Sequence, residues 1–114
     1  MNIAIVGSRT FNNYELMNKI LSNYLPNIDA IVSGGARGAD LLGERFANEN
    51  GISTIIFKPD WKKYKKSAGF IRNRLIVENA DIIIAFWDGI SRGTAHTIEL
   101  AKKMNKKIIV IEFS

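Results

Sequence analysis

The sequence has no cysteine, which rules out disulfides and thiolate metal sites. It has one histidine, His96, too few for a histidine-built metal centre, and neither a metal nor another resident cofactor is expected. Long apolar runs are missing as well. The N-terminal run Met1-Asn2-Ile3-Ala4-Ile5-Val6-Gly7 is too short for a signal peptide, and no run could span a bilayer. No membrane partner is expected, and a cytoplasmic location is the default. Three catalytic or nucleotide motifs are also absent. The first loop lacks G-x-G-x-x-G, no G-K-[ST] follows any strand, and there is no G-x-S-x-G elbow. An ordinary dinucleotide dehydrogenase, an ordinary P-loop NTPase and a serine hydrolase triad therefore have little support.

The composition that remains, 46% hydrophobic and 24% charged over 114 residues, is that of a globular chain able to build a core. Residues 1–114 are expected to form one domain, with no repeats, linkers or low-complexity segments. The net charge is +5, and it is unevenly placed. Between Lys58 and Lys66 five lysines face only Asp60, so this one loop supplies +4. Such a loop suits an anionic ligand or nucleic acid, and equally a solvated surface.

Short apolar segments alternate with helical patterns. Asn2 to Val6, Asp29 to Ser33, Ser53 to Phe57, Asp81 to Phe86 and Lys107 to Phe113 read as strands. Helices are expected between them, the first capped by Asn12 or Asn13 and ending before Pro26. In the second, Ala39, Leu42, Gly43, Phe46 and Ala47 form one apolar stripe, and Gly43 implies close approach to the sheet. Gly69 to Ala80 is helical, although Arg72, Asn73 and Arg74 blur its stripe. From Lys58 to Ala68 there is no period of either kind, so a long loop is expected. This alternation predicts an α/β fold, a Rossmann-like three-layer sandwich with a five-stranded parallel sheet. Right-handed crossovers and one reversal after the third strand give the order 3-2-1-4-5.

In that order the crevice lies at the carboxyl ends of strands one and four. Ser33-Gly34-Gly35-Ala36-Arg37-Gly38-Ala39-Asp40 joins a strand to a helix there. A glycine-rich turn of this kind leaves N–H groups unpaired at a positive helix end, where a phosphate can sit. Arg37 adds a forked cation. Two further turns meet it: Gly7-Ser8-Arg9 after strand one, and Trp87-Asp88-Gly89-Ile90-Ser91-Arg92-Gly93-Thr94 after strand four. Arg9, Arg37 and Arg92 are expected to gather around one anion; ion pairs with Asp40, Asp88 or Glu99 are the plain structural alternative. Trp87, and Trp61 in the lysine loop, would stack a base or merely pack. Trp61, Lys62 and Lys66 would belong to a lid. His96 reads as a packing or surface residue.

These motifs together resemble the SLOG superfamily of Rossmann-like domains, in particular its YspA / cpYpsA-related branch. The resemblance rests on Gly7-Ser8-Arg9-x-Phe11, the Ser33 to Asp40 turn, Asp60-Trp61, Ala68-Gly69 followed by Arg72-Asn73, Asp81, Phe86-Trp87-Asp88-Gly89 and Ser91-Arg92-Gly93-Thr94. It implies a nucleotide-type small-molecule ligand, a nucleoside phosphate or a relative of NAD or ADP-ribose, and a homo-oligomer. It also implies two further functions. Similarity to LOG phosphoribohydrolases would make the chain an N-glycosidic-bond hydrolase with Arg72 in the family's arginine position. There, however, the glutamate of P-G-G-x-G-T-x-x-E is replaced by Thr97, leaving Asp88 or Glu99 as a substitute, neither in the matching position. Similarity to DprA implies single-stranded nucleic acid as a partner. The missing carboxylate favours binding over hydrolysis.

Overall fold

Parallel pairing fixes the architecture. The computed structural model describes Met1–Ser114. Five strands, β1 (Asn2–Gly7), β2 (Ala30–Ser33), β3 (Ser53–Ile56), β4 (Ile82–Trp87) and β5 (Lys107–Glu112), form one all-parallel sheet. Their order is β3-β2-β1-β4-β5, as the alternation and crossover rules predict. The helices between them are α1 (Tyr14–Ser22), α2 (Ala39–Glu49), a one-turn α3 (Trp61–Tyr64), α4 (Ala68–Glu78) and α5 (Arg92–Lys103).

The two central strands explain why neither face of the sheet is polar. In β1, Ile3 and Ile5 enter the core beneath α1 and α2, while Ala4 and Val6 enter the second core beneath α4 and α5. In β4, Ile82, Ile84 and Phe86 serve the first core and Ile83 and Ala85 the second. Successive side chains point to opposite faces, so a strand covered on both sides reads as an unbroken apolar run. Helix α2 lies close on β1 because Gly43 has no side chain. A Cβ there would stand 2.8 Å from Ile5 Cβ. Asn13 caps α1, its side chain accepting from Leu16 N at 3.1 Å. None of these helices is long and apolar enough to cross a membrane.

One sequence expectation needs correction. The Lys58 to Ala68 connection is not an irregular loop but contains α3 followed by a 3-10 turn, Lys65–Ser67. Asp60 starts that helix, its carboxylate accepting from Lys63 N at 3.1 Å. This cap is short-range and carries no apolar stripe, so hydrophobic periodicity does not reveal it.

Candidate functional site

Two adjoining cavities open at the carboxyl ends of the strands. The first, about 350 Å³, lies between the loops after β1 and β4 and the helices α4 and α5. The second, about 340 Å³, lies between the glycine turn after β2 and the segment Lys58-Pro59 with Trp61 after β3. Arg9, Ala36 and Arg72 line both. The two arginines therefore stand where one cavity passes into the other.

Arg72 is half-buried and held in place. Its Nη1 donates to Gly34 O and its Nε to Asn73 Oδ1, both at 3.0 Å. Burial lowers its pKa, Asp40 opposes that shift, and the nearby charge of Arg9 adds to it. Asn73, itself buried, donates to Gly93 O at 3.4 Å and contacts His96 Nδ1 at 3.1 Å, which ties α4 to the start of α5. The protein's salt bridges are Met1 N-terminus–Asp29, Arg45–Glu49 and Arg74–Glu78. None involves Arg9, Arg37, Arg72 or Arg92, so the ion-pair alternative for the arginines is not formed.

The glycine turn is arranged differently from its sequence reading. Three of its N–H groups are already engaged: Gly34 N and Ala36 N both donate to Asp40 Oδ2, at 2.9 and 3.4 Å. Gly35 N donates to Ser33 Oγ, which in turn donates to Glu44 Oε2. The turn thus closes around a carboxylate of its own chain. Asp40 is 5% exposed. Desolvation raises its pKa to about 6, against the lowering effects of the Ala36 N–H, Arg72 and the Gly34 N–H; Glu44 raises it further. Gly38 starts α2 at φ 81°, and a Cβ there would collide with Ser8 O, so the turn can pass the β1 loop only as glycine.

On the other side, Ser8 is a buried junction. Its N–H donates to Phe86 O at 2.9 Å, and its Oγ accepts from Asp88 N at 3.1 Å. Asp88 Oδ1 accepts from Ile90 N and Ser91 N, at 2.9 and 2.8 Å. Those two bonds come first among the causes that lower its pKa. Its carboxylate thereby shapes the turn that leads into α5. At the start of that helix Ser91 and Thr94 share a 3.2 Å hydroxyl contact, and Gly93, Thr94 and Thr97 line the first cavity.

Of the residues singled out in the sequence, Gly7, Ser8, Arg9, Asp40, Arg72, Asn73, Asp88, Ser91, Gly93 and Thr94 meet in the first cavity. Gly34, Gly35 and Trp61 line the second. The others stand elsewhere. Arg37 and Arg92 are exposed and line neither cavity, so three arginines do not converge; Arg9 is joined instead by Arg72. Phe11 is a core residue, its ring 4.5 Å from that of Phe86 and 5.1 Å from that of Phe113. Ser33 is fully buried beneath its turn. Trp87 packs on the second core, donates Nε1–H to Ser91 O at 3.0 Å and lines neither cavity. Gly38 and Gly89 serve turns outside the lining, and Lys62 and Lys66 are exposed beyond it. Sequence reasoning did not assign Lys58, Pro59 or Thr97 to the site, naming Lys58 only within the basic loop and Thr97 only as a helix position and the replaced glutamate. The first two directly follow β3 at the crevice edge, and Thr97 lies one helical turn after Gly93, so topology and helical spacing were the available signals.

No group of three or more acidic, histidine or cysteine side chains is placed to hold a metal ion. Thr97 Oγ1 donates to Gly93 O at 3.1 Å.

Comparison with known proteins agrees with this fold. The model of the YspA, cpYpsA-related SLOG family matches residues 1–64, the part carrying β1, the glycine turn and the β3 edge. The chain belongs to that family. The Gene 61 protein of Mycobacterium phage D29 is 32% identical to this SLOG chain over 116 residues, covering 94% of it and 93% of the phage protein. Two solved structures share the fold. DNA processing protein A (DprA) from Streptococcus pneumoniae superposes with a TM-score of 0.80 at 23% identity, over 99% of this chain and 50% of that one. DprA from Helicobacter pylori, a single-stranded DNA-binding protein, gives 0.69 at 21% identity, over 96% and 64%. The SLOG chain thus spans about half to two-thirds of the DprA chains it matches.

Proposed function

We propose that this SLOG chain binds a phosphate-bearing, nucleotide-derived ligand in the two joined cavities. The observation that carries the proposal is the pair Arg9 and Arg72. Both line both cavities, and neither forms an ion pair within the protein. Two guanidinium groups that line the same two cavities and form no salt bridge favour an anion, and a guanidinium fork suits phosphate oxygens. The volumes fit a ligand of nucleotide size. Ser8, Ser91, Gly93 and Thr94 supply hydroxyl and N–H groups for sugar or phosphate oxygens, and Trp61, 57% exposed on the second cavity's rim, offers a face to a base.

Binding is favoured over N-glycosidic hydrolysis. An oxocarbenium-like transition state needs a carboxylate beside the sugar. Thr97 stands in the glutamate position, the Asp88 carboxylate is engaged by its own turn, and Asp40 is engaged by the glycine turn.

Isothermal calorimetry with AMP, ADP-ribose and NAD tests the proposal. At least one should bind, and Arg9→Ala should weaken it by at least tenfold. Silence of all three at millimolar concentration overturns the reading. A second reading, single-stranded nucleic acid, is favoured by the exposed Trp61 and Lys58 on the second cavity and by the lysines of the adjoining turn. An oligonucleotide in the same panel separates the two.

A further inference from the structure

A glycine turn that could receive a ligand's phosphate already holds an anion of its own, and this bears on how the groove receives another. Asp40 is nearly fully buried, accepts from two N–H groups of the turn through Oδ2, and lines the first cavity together with Arg9 and Arg72. Asp40 and Arg72 flank Gly34 without forming an ion pair. A Cβ on Gly34 would stand 2.5 Å from Arg72 Nη1 and 2.9 Å from Asp40 Oδ2. The carboxylate is thus part of the wall of the anion site, not a bystander behind it.

We infer that Asp40 is the internal counter-anion of the groove, and that a ligand's anionic group binds between Arg9 and Arg72 with uptake of a proton by this carboxylate. The inference rests on the binding reading above and adds a regulation to it. Two negative groups sharing one pair of cations in a poorly solvated wall repel each other. Protonating the one already there removes the repulsion. The balance is simple: one proton passes from solvent to Asp40, and no covalent bond to the ligand forms or breaks. Neutral Asp40 still accepts the Gly34 and Ala36 N–H bonds, so the turn keeps its shape in both states.

The charged groups around Asp40 act in both directions. Arg72 from α4 favours its ionised form and Glu44, one turn along α2, disfavours it, while Arg9 from the β1 loop lines the same cavity. Asp88 lines the same cavity, and Lys58 lines the second. His96, on α5, lies behind Asn73 and outside the cavity lining, and burial lowers its pKa. Asp40, with a pKa raised to about 6, is ionised at neutral pH but readily protonated.

The test uses ADP-ribose, whose diphosphate diester does not titrate between pH 6 and 8, so any pH dependence belongs to the protein. Calorimetry at pH 6.5 and 7.5, in two buffers of different ionisation enthalpy, should show proton uptake and a dissociation constant that weakens by up to about tenfold over that unit. Asp40→Asn keeps the hydrogen-bond acceptor and removes the charge. It should bind with little pH dependence and more tightly than the parent at pH 7.5. His96→Gln should retain the parent's slope, which separates the two titrating groups. Carbon-detected NMR of the Asp40 carboxyl in the unaltered protein gives the same answer without a variant: its pKa should rise when ADP-ribose is bound. An unchanged slope in Asp40→Asn, or an unshifted Asp40 titration on saturation, overturns the inference while leaving nucleotide binding intact. Failure of ADP-ribose, AMP, NAD and an oligonucleotide to bind at any pH overturns both.

Discussion

Replacing Arg72 by methionine separates ligand binding from folding. The substitution keeps most of the apolar stem but removes the charge and both hydrogen bonds, to Gly34 O and Asn73 Oδ1. Bonds from charged donors contribute roughly 1.5–3 kcal/mol each when lost outright. Against that loss stand the half-buried charge's desolvation and its repulsion from Arg9, which together lower its pKa. Water entering the open cavity can also take over the abandoned acceptors. The net destabilisation is expected to be about 1–2 kcal/mol, a fall in Tm of roughly 4–8 °C for a chain of this size. A forked guanidinium contact with phosphate is stronger: losing about 2–3 kcal/mol of it weakens binding roughly 30- to 150-fold. Thermal denaturation and calorimetry with ADP-ribose on the same samples give both numbers. Arg72→Lys, which keeps charge but not the fork, should fall between. The reasoning fails if Arg72→Met loses more than about 4 kcal/mol of stability while its dissociation constant stays within twofold of the parent's.

Other perturbations probe different parts of the account. Phe11→Ala should cost about 3–5 kcal/mol in urea denaturation, because its buried ring stacks on Phe86; a loss below about 1 kcal/mol would contradict its placement in the core. Stability should depend on pH through Asp40. Its folded pKa of about 6 lies above the ordinary value of 3.8, so the stabilisation is complete below about pH 4 and is lost as pH rises through 6. The change is at most on the order of 3 kcal/mol and should be missing from Asp40→Asn. Neutralising Lys62, Lys63, Lys65 and Lys66 together should leave AMP affinity within twofold. If single-stranded nucleic acid also binds, the same change should flatten the salt dependence of oligonucleotide binding by about 0.7 in log–log slope for each phosphate contact removed.

The scaffold was far more legible in the sequence than the site. Asn2 to Val6 and Asp81 to Phe86 read as strands, their apolar runs fit burial on both faces, and the crossover rules then ordered the sheet. Gly43 announced a helix lying close on the sheet, and the absence of room for a Cβ there, 2.8 Å from Ile5 Cβ, bears that reading out. Side-chain direction was hidden. Arg37 and Arg92 lie in turns that reach the crevice, yet both side chains stay exposed outside its lining. Arg72 and Asn73 interrupt the apolar stripe of α4 for a physical reason: both turn toward the cavity and bond each other, Gly34 and Gly93. The turn Ser33 to Asp40 also contained its own counter-anion. Nothing in the spacing shows that Asp40 folds back onto Gly34 N and Ala36 N, because that depends on the turn's three-dimensional path. Phe11 and Trp87 were ambiguous for a related reason, since an aromatic at a strand end can face a ligand or the core, and packing decides which.

A crystal structure of the protein with ADP-ribose bound tests the central claim most directly. The account predicts phosphate density between Arg9 and Arg72, within hydrogen-bonding distance of both guanidinium groups, at the junction of the two cavities. Ligand bound at Arg37 or Arg92 on the outer surface, with that junction filled only by water, would contradict it.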